Sequence, residues 1–176
     1  MKAKKEIEIT IEELSFLLQS NYIEREFSEL AFTDAKLAWQ FAKSKSNKRM
    51  TIKYITDIHK LLIYNVNYRI AGKLRNVDVW VSGKDINHKY LSPLLIRRHL
   101  KLWLQEFRNV ASEDAIKRSH IAFEMIHPFE DGNGRVGRIL MNIMRLNVGL
   151  PILIIHAGKE QTKYYEWFRG DEKIWI

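Results

Sequence analysis

The twelve residues His127-Pro-Phe-Glu-Asp-Gly-Asn-Gly-Arg-Val-Gly-Arg138 constrain this chain more than any other stretch. They crowd one imidazole, two carboxylates, three glycines, one asparagine and two arginines between two apolar segments. Before them, Ile116, Phe123 and Ile126 recur at helical spacing, with Ala115 and Ala122 beside them. Pro128 drives His127 out of the αR region, so that helix should stop there and leave the imidazole at the mouth of a loop. After them, Val136, Ile139, Leu140, Ile143 and Met144 give the apolar face of a second helix, predicted over 135–146. Arg135, Arg138, Asn142 and Arg145 share its other edge. Residues 115–147 therefore read as a helix-loop-helix.

Near neutral pH an ordinary imidazole is largely the free base, and at a loop mouth it can take a proton from a hydroxyl. In Asp131-Gly-Asn-Gly134 the glycines let backbone N–H groups turn inward at a helix N-terminus, a seat for phosphate. Asp131 is a hard oxygen ligand of the kind Mg²⁺ uses beside phosphates. Arg138 lies about one turn from the glycines, and guanidinium suits phosphate oxygens. Singly, a Gly-Asn-Gly is a turn and an arginine stripe a solvated face. In this order they point to phosphoryl or nucleotidyl transfer.

The dodecapeptide resembles the signature of the Fic family, His-Pro-Phe-x-(Asp/Glu)-Gly-Asn-Gly-Arg-x-x-Arg, at every fixed position. The resemblance implies an all-α domain with a small β-hairpin flap over the active site. It implies a protein adenylyltransferase that moves AMP from Mg²⁺·ATP to a Ser, Thr or Tyr hydroxyl of a target protein. On the matched positions, His127 would be the base, Phe129 the buried anchor of the loop and Asp131 the Mg²⁺ ligand. Gly132, Asn133 and Gly134 would form the anion hole, with Arg135 and Arg138 holding phosphates. A kinase-like branch carries lysine where this chain has Gly134, which favours nucleotidyl over phosphate transfer. Two other classes stay open: phosphoryl transfer or removal of AMP at the same site, and a non-catalytic binding module.

Composition bounds the rest. The 176 residues suit one domain, 1–176, and the hydrophobic fraction of 46% is that of a globular protein. No stretch approaches a membrane span, and the N-terminus carries no signal h-region. There is no cysteine, hence no disulfide framework. A cytoplasmic location is expected, with no membrane partner. The net charge of +8 raises the question of nucleic acid, but the basic residues are scattered and not interleaved with aromatics. A nucleotide and a target protein are the expected partners, and a homo-oligomer is left open.

Earlier in the chain, Thr10-Ile-Glu-Glu13 is a capping-box pattern opening an N-terminal helix within 10–30. Ser20-Asn-Tyr-Ile-Glu24 resembles the inhibitory Fic motif Ser/Thr-x-x-x-Glu-Gly/Asn. There the glutamate pairs with the second motif arginine, here Glu24 with Arg138, and blocks the γ-phosphate. Arg25 stands where that motif has glycine or asparagine. The next helix is expected to start at Phe32-Thr33-Asp34, and Thr51 caps another. His59 reads as a core-edge histidine, not a ligand. In 69–86, Val77, Val79 and Val81 alternate with Asp78 and Trp80 at strand period. By resemblance this is the flap, which would hold the target segment by strand addition. Ser92-Pro93 opens a helix whose Leu94, Leu95, Leu100, Leu102, Trp103, Leu104 and Phe107 are expected to be buried. Leu150–Ile155 reads as a buried connection or a short strand, and Tyr164 and Tyr165 fall, by resemblance, near an adenine pocket.

Overall fold

A computed structural model describes residues 8–79 and 90–168. Among them the chain is all-helical: α1 (Ile11–Ile23), α2 (Glu29–Ser44), α3 (Ile52–Asn67), α4 (Pro93–Glu106), α5 (Glu113–Ile126), α6 (Asn133–Asn147), α7 (Lys159–Tyr165) and a 3-10 turn at Glu166–Phe168. The all-α expectation holds. No strand forms among the described residues; Val77, Asp78 and Val79 are irregular backbone, while Trp80, Val81 and the rest of the expected hairpin through 86 lie outside the described residues.

α6 is the centre of the bundle. Val136, Ile139, Leu140, Met141 and Ile143 are all at most 2% exposed, so it is covered on every side. A helix wrapped this way is specified by its neighbours, which α1, α2, α3 and α5 supply. α2 and α3 pack antiparallel. The Tyr54 hydroxyl near the start of α3 donates to the Ala42 carbonyl near the end of α2. At the opposite end, Asp34 accepts from both the backbone and side-chain N–H of Asn65. Trp103 of α4 donates its indole N–H to the Ser119 carbonyl of α5 at 2.8 Å.

Several expectations are corrected. α2 starts at Glu29, where Ser28 accepts from Ala31 N–H, and not at 32–34. Asp34 resembles a cap in sequence but is a buried acceptor for α3. In α4, Leu94 is 92% exposed and Leu95 and Leu102 are also exposed, whereas Ile96, Leu100 and Trp103 are buried. Counting leucines without phase overstated that core. Leu150–Ile155 is not a strand; Asn142 exchanges two hydrogen bonds with the Leu153 backbone and pins the segment to α6.

The first helix opens and closes by recognisable chemistry. Thr10 and Glu13 form the expected capping box. Lys43 of α2 bonds Glu13 at 2.8 Å and ties the two helices. At the C-terminus, Glu26 N–H donates to the Asn21 carbonyl and Arg25 N–H to the Tyr22 carbonyl. This is a Schellman turn, and its left-handed residue is Arg25 at φ 57°. The position therefore asks for glycine or asparagine, as the resembling motif has. Arginine there costs about 1–2 kcal/mol of side-chain crowding. Glycine gives back part of that gain as unfolded-state entropy. Arg25→Gly is accordingly expected to stabilise the fold by about 0.5–1 kcal/mol, read as a raised urea midpoint at unchanged m-value.

Candidate active site

Four contacts fix the loop between α5 and α6. His127 ends α5 in the left-handed region at φ 47°, with its N–H still donating to the Phe123 carbonyl. Pro128 behind it excludes a further helical turn. Phe129 is fully buried and lies flat on His59, ring centroids 3.8 Å apart. Asn133 closes the loop from inside: its amide accepts from Phe129 N–H and donates to the Phe129 carbonyl, both at 2.9 Å. Gly132 caps α6 at φ 79°, and a Cβ there would also meet Ile63 at 2.7 Å. The helix thus begins at Asn133, two residues before the sequence expectation.

Two further residues brace the loop. Buried Arg75 donates to the carbonyls of His127, Val77 and Leu91, and its own N–H donates to the Pro128 carbonyl. Buried His59 accepts from Gly72 N–H at Nδ1, so its Nε2–H donates to the Asp131 carbonyl. Burial pulls its pKa down to about 4, which keeps this bridging tautomer neutral. Expected at the edge of the core, His59 is fully buried and central to the loop. Only the distant partners Gly72 and Phe129 reveal that.

The catalytic candidate is half-buried. His127 Nδ1 faces the Glu124 carbonyl at 3.2 Å and must donate to it, leaving the lone pair on Nε2. Tyr90 stacks on the ring, centroids 3.9 Å apart. Burial lowers the imidazole to about 4, against a weaker opposing effect of the Glu124 carbonyl. The ring is therefore a neutral base throughout the physiological range. Tyr90 borders the undescribed segment and carried no sequence signal.

The arginine edge of α6 splits into different tasks. Arg145 serves structure, donating to the Pro151 carbonyl and pairing with Glu113. Arg135 is 3% exposed and pairs with Asp131 at 3.2 Å, while its Nε and Nη1 have no protein partner. Asp131 accepts from Gly132 N–H with one oxygen, and its side chain is 54% exposed. An exposed carboxylate at the loop mouth suits a hard cation shared with phosphate oxygens. No cluster of three metal-ligating side chains occurs among the described residues.

Arg138 is 2% exposed and meets α1. Its Nε donates to the Ser20 hydroxyl and its Nη2 to the Ser20 carbonyl, both at 2.9 Å. Nη2 also bonds Glu24 Oε1 at 2.7 Å, the pairing expected from sequence. That same Oε1 would lie 2.3 Å from a Cβ on Gly134. The carboxylate of α1 is thus seated on the glycine at the α6 N-terminus, which only glycine allows. Burial works against the Arg138 charge, but Tyr164 and Glu24 outweigh it and hold the guanidinium protonated.

Tyr164 and Tyr165 are not equivalent. Tyr164 is 3% exposed; its hydroxyl lies 2.7 Å from His120 Nε2 and accepts from Arg138 at 3.4 Å. Tyr165 is exposed and accepts from Gln161. Behind them lies Glu124, missed in the sequence. One of its oxygens is buried without a hydrogen-bond partner and would touch any Cβ on Gly137. Burial raises its pKa to about 8, against the lowering by Arg138. The folded pKa exceeds the unfolded one, so stability falls as pH rises from about 4.5 to about 8 and levels off beyond. Glu124→Gln removes this penalty. It is expected to raise stability by about 1–3 kcal/mol at pH 8 and by nothing below pH 4, measured by urea unfolding across pH.

Known proteins resemble this chain in both sequence and fold. Residues 49–144 match the model of the Fic/DOC family. The protein adenylyltransferase fic-1 of Caenorhabditis elegans is 30% identical over 149 residues, covering 80% of this chain and 28% of that protein. Protein adenylyltransferase Fic of Aedes aegypti is 29% identical over 150 residues, 82% and 29% of the two chains. The chain spans less than a third of the length of these relatives. In fold it is similar to a Fic-domain-containing signaling protein from Bacteroides thetaiotaomicron, with TM-score 0.74 at 20% identity over 87% of this chain and 69% of that one. A Fic family protein from Desulfovibrio desulfuricans gives 0.71 at 18% identity over 89% and 54%.

Proposed function

The chain belongs to the Fic/DOC family, and from that premise we propose that it is a protein adenylyltransferase, transferring AMP from ATP to a Ser, Thr or Tyr hydroxyl of a target protein. One observation carries this reading: an anionic oxygen, that of Glu24, already sits against Gly134 in the grip of Arg138. A site that receives a carboxylate oxygen there receives a phosphate oxygen by the same hydrogen bonds. The names of the relatives support the choice of AMP transfer.

In this mechanism the target hydroxyl attacks the α-phosphorus in line. His127 Nε2 takes the hydroxyl proton as the new P–O ester bond forms. The bond from the α-phosphorus to the bridging oxygen breaks, and pyrophosphate leaves. The backbone N–H groups of Asn133 and Gly134 hold phosphate oxygens, while the Asn133 side chain keeps the loop in shape. The two unpartnered nitrogens of Arg135 suit further oxygens. Asp131, with phosphate oxygens, would hold Mg²⁺, which neutralises charge on the leaving group. Residues 77–81 would receive the target segment, and Tyr165 is the tyrosine of the pair whose ring is accessible to adenine.

Glu24 then acts as a brake. It occupies the Arg138 donors that a terminal phosphate needs, so ATP enters unproductively until α1 yields. Glu24→Gly is expected to raise labelling of the chain by α-labelled ATP about tenfold or more, the worth of one hydrogen bond to a charged group. Equal labelling of both forms refutes the brake. His127→Ala is expected to lower that labelling by about 10²–10⁴-fold with helix content unchanged, and the acid limb of the rate should lie near pH 4. Undiminished labelling removes His127 from the proton transfer, whereas an acid limb near 6.5 contradicts only the effect of burial on the imidazole.

A further inference from the structure

Tyr164 takes no part in the chemistry proposed above, yet it touches the arginine on which that chemistry relies. Its neighbour Tyr165 is exposed, whereas Tyr164 is 3% exposed and points its hydroxyl inward. That oxygen lies 3.4 Å from Arg138 Nη1 and 2.7 Å from His120 Nε2. An arginine can only donate, so the hydroxyl accepts from Arg138 and directs its own proton at His120. His120 Nε2 is then the bare nitrogen of a neutral ring. Burial, helped by the Arg138 charge, pulls that imidazole down to about 3 and keeps it neutral.

What sets this contact apart is where the other Arg138 contacts come from. Ser20 takes two of the guanidinium N–H groups through its hydroxyl and its carbonyl, and Glu24 takes a third. All three acceptors belong to α1 or to its C-cap, the element that has to yield in the proposed release. Among the described residues, Tyr164 is the one hydrogen-bond partner of Arg138 that comes from elsewhere. Its bond is long while α1 holds the other edge of the guanidinium, but the ring flanks the group as well, 5.8 Å from the guanidinium carbon to its centroid. Trp167 and Phe168 pack edge-on against that ring, centroids 5.3 and 5.1 Å away, so it cannot swing aside. α7 also touches α1, where Gln161 donates to the Ile23 carbonyl, but the hydroxyl itself is fastened to α5 by His120. A neutral hydroxyl differs from Glu24 in kind, because it orients the arginine without cancelling its charge.

We propose that Tyr164 is a positioning residue of the transfer reaction: its hydroxyl, fastened by His120, keeps the Arg138 guanidinium aimed at the terminal phosphate of ATP once α1 has yielded. The proposal rests on the nucleotide-binding reading of the site. Without that hold the arginine regains rotamers, and ATP has to order it again on binding. Tyr164 acts through Arg138 and touches neither the reacting phosphorus nor the target hydroxyl.

The test uses the full chain carrying Ser20→Ala and Glu24→Gly, which strips the side-chain acceptors of α1 from Arg138. Calorimetry with Mg²⁺·ATP and with AMP compares this parent with the same chain carrying Tyr164→Phe, which deletes the hydroxyl and keeps the ring. Tyr164→Phe is expected to weaken ATP about tenfold, within the range of one hydrogen bond to a charged group, and to leave AMP within about twofold. AMP lacks the terminal phosphate that Arg138 serves, so a general loss of structure would lower both alike. His120→Leu removes the acceptor behind the hydroxyl and is expected to weaken ATP about threefold with AMP unchanged, a second reading that decides the matter where Tyr164→Phe does not fold. A folded Tyr164→Phe protein that binds ATP as its parent does, or that loses ATP and AMP equally, overturns the proposal and leaves the transfer reading standing. A parent that binds no ATP overturns the nucleotide reading and this proposal with it.

Discussion

A guanidinium almost wholly removed from water must find an anion, and the central part of this molecule is arranged around that demand. Arg138 sits on the most enclosed helix of the bundle at 2% exposure. Leaving it uncompensated would cost several kcal/mol. Ser20 provides two acceptors and Glu24 a carboxylate, while the Tyr164 hydroxyl takes the remaining direction. The first helix is therefore held to the last helix of the site by the same group that a nucleotide would need. On the proposed function, carboxylate and phosphate would compete for that group. A single buried charge has room for one principal counter-anion.

The loop holds its shape without using that pairing. Its polar backbone is satisfied internally by Asn133, by the Arg75 fork and by the His59 bridge. The left-handed turn at His127 aims the imidazole out of α5, and Tyr90 holds the ring from one face. These supports use carbonyls and side chains that face inward, so the N–H groups at the start of α6 stay directed at the anion seat. Glu124 is the residue that obeys no such rule. It keeps a buried, unpartnered oxygen close to Arg138, a cost borne next to the site and nowhere else in the carboxylates of the described residues.

Much of this was legible in the residues. Capping chemistry at Thr10 and Thr51 announced two helix starts because a cap involves neighbours three residues apart. The motif loop announced itself because glycine, proline and asparagine restrict backbone locally. Arg25 departs from the glycine or asparagine of the resembling motif, and the Schellman geometry shows why those residues suit the position. Reading failed where a side chain answers to a distant partner. Asp34 looks like a cap and serves Asn65; Leu94 looks like core and faces water. Arg145 shares an edge with Arg138 in sequence, yet it holds the Pro151 carbonyl.

By itself, then, the sequence determined that an imidazole, a glycine-rich turn and two arginines lie within twelve residues between two helices, and that a carboxylate stands one turn from Ser20. Spacing along one chain segment is enough for those statements, because backbone preference acts over three or four residues. Only the tertiary structure decided that Glu24 reaches Arg138 across 114 positions of chain and settles on Gly134, and that His59 and Arg75 brace the loop. Those pairings arise from how whole helices pack, and no local rule encodes which faces meet.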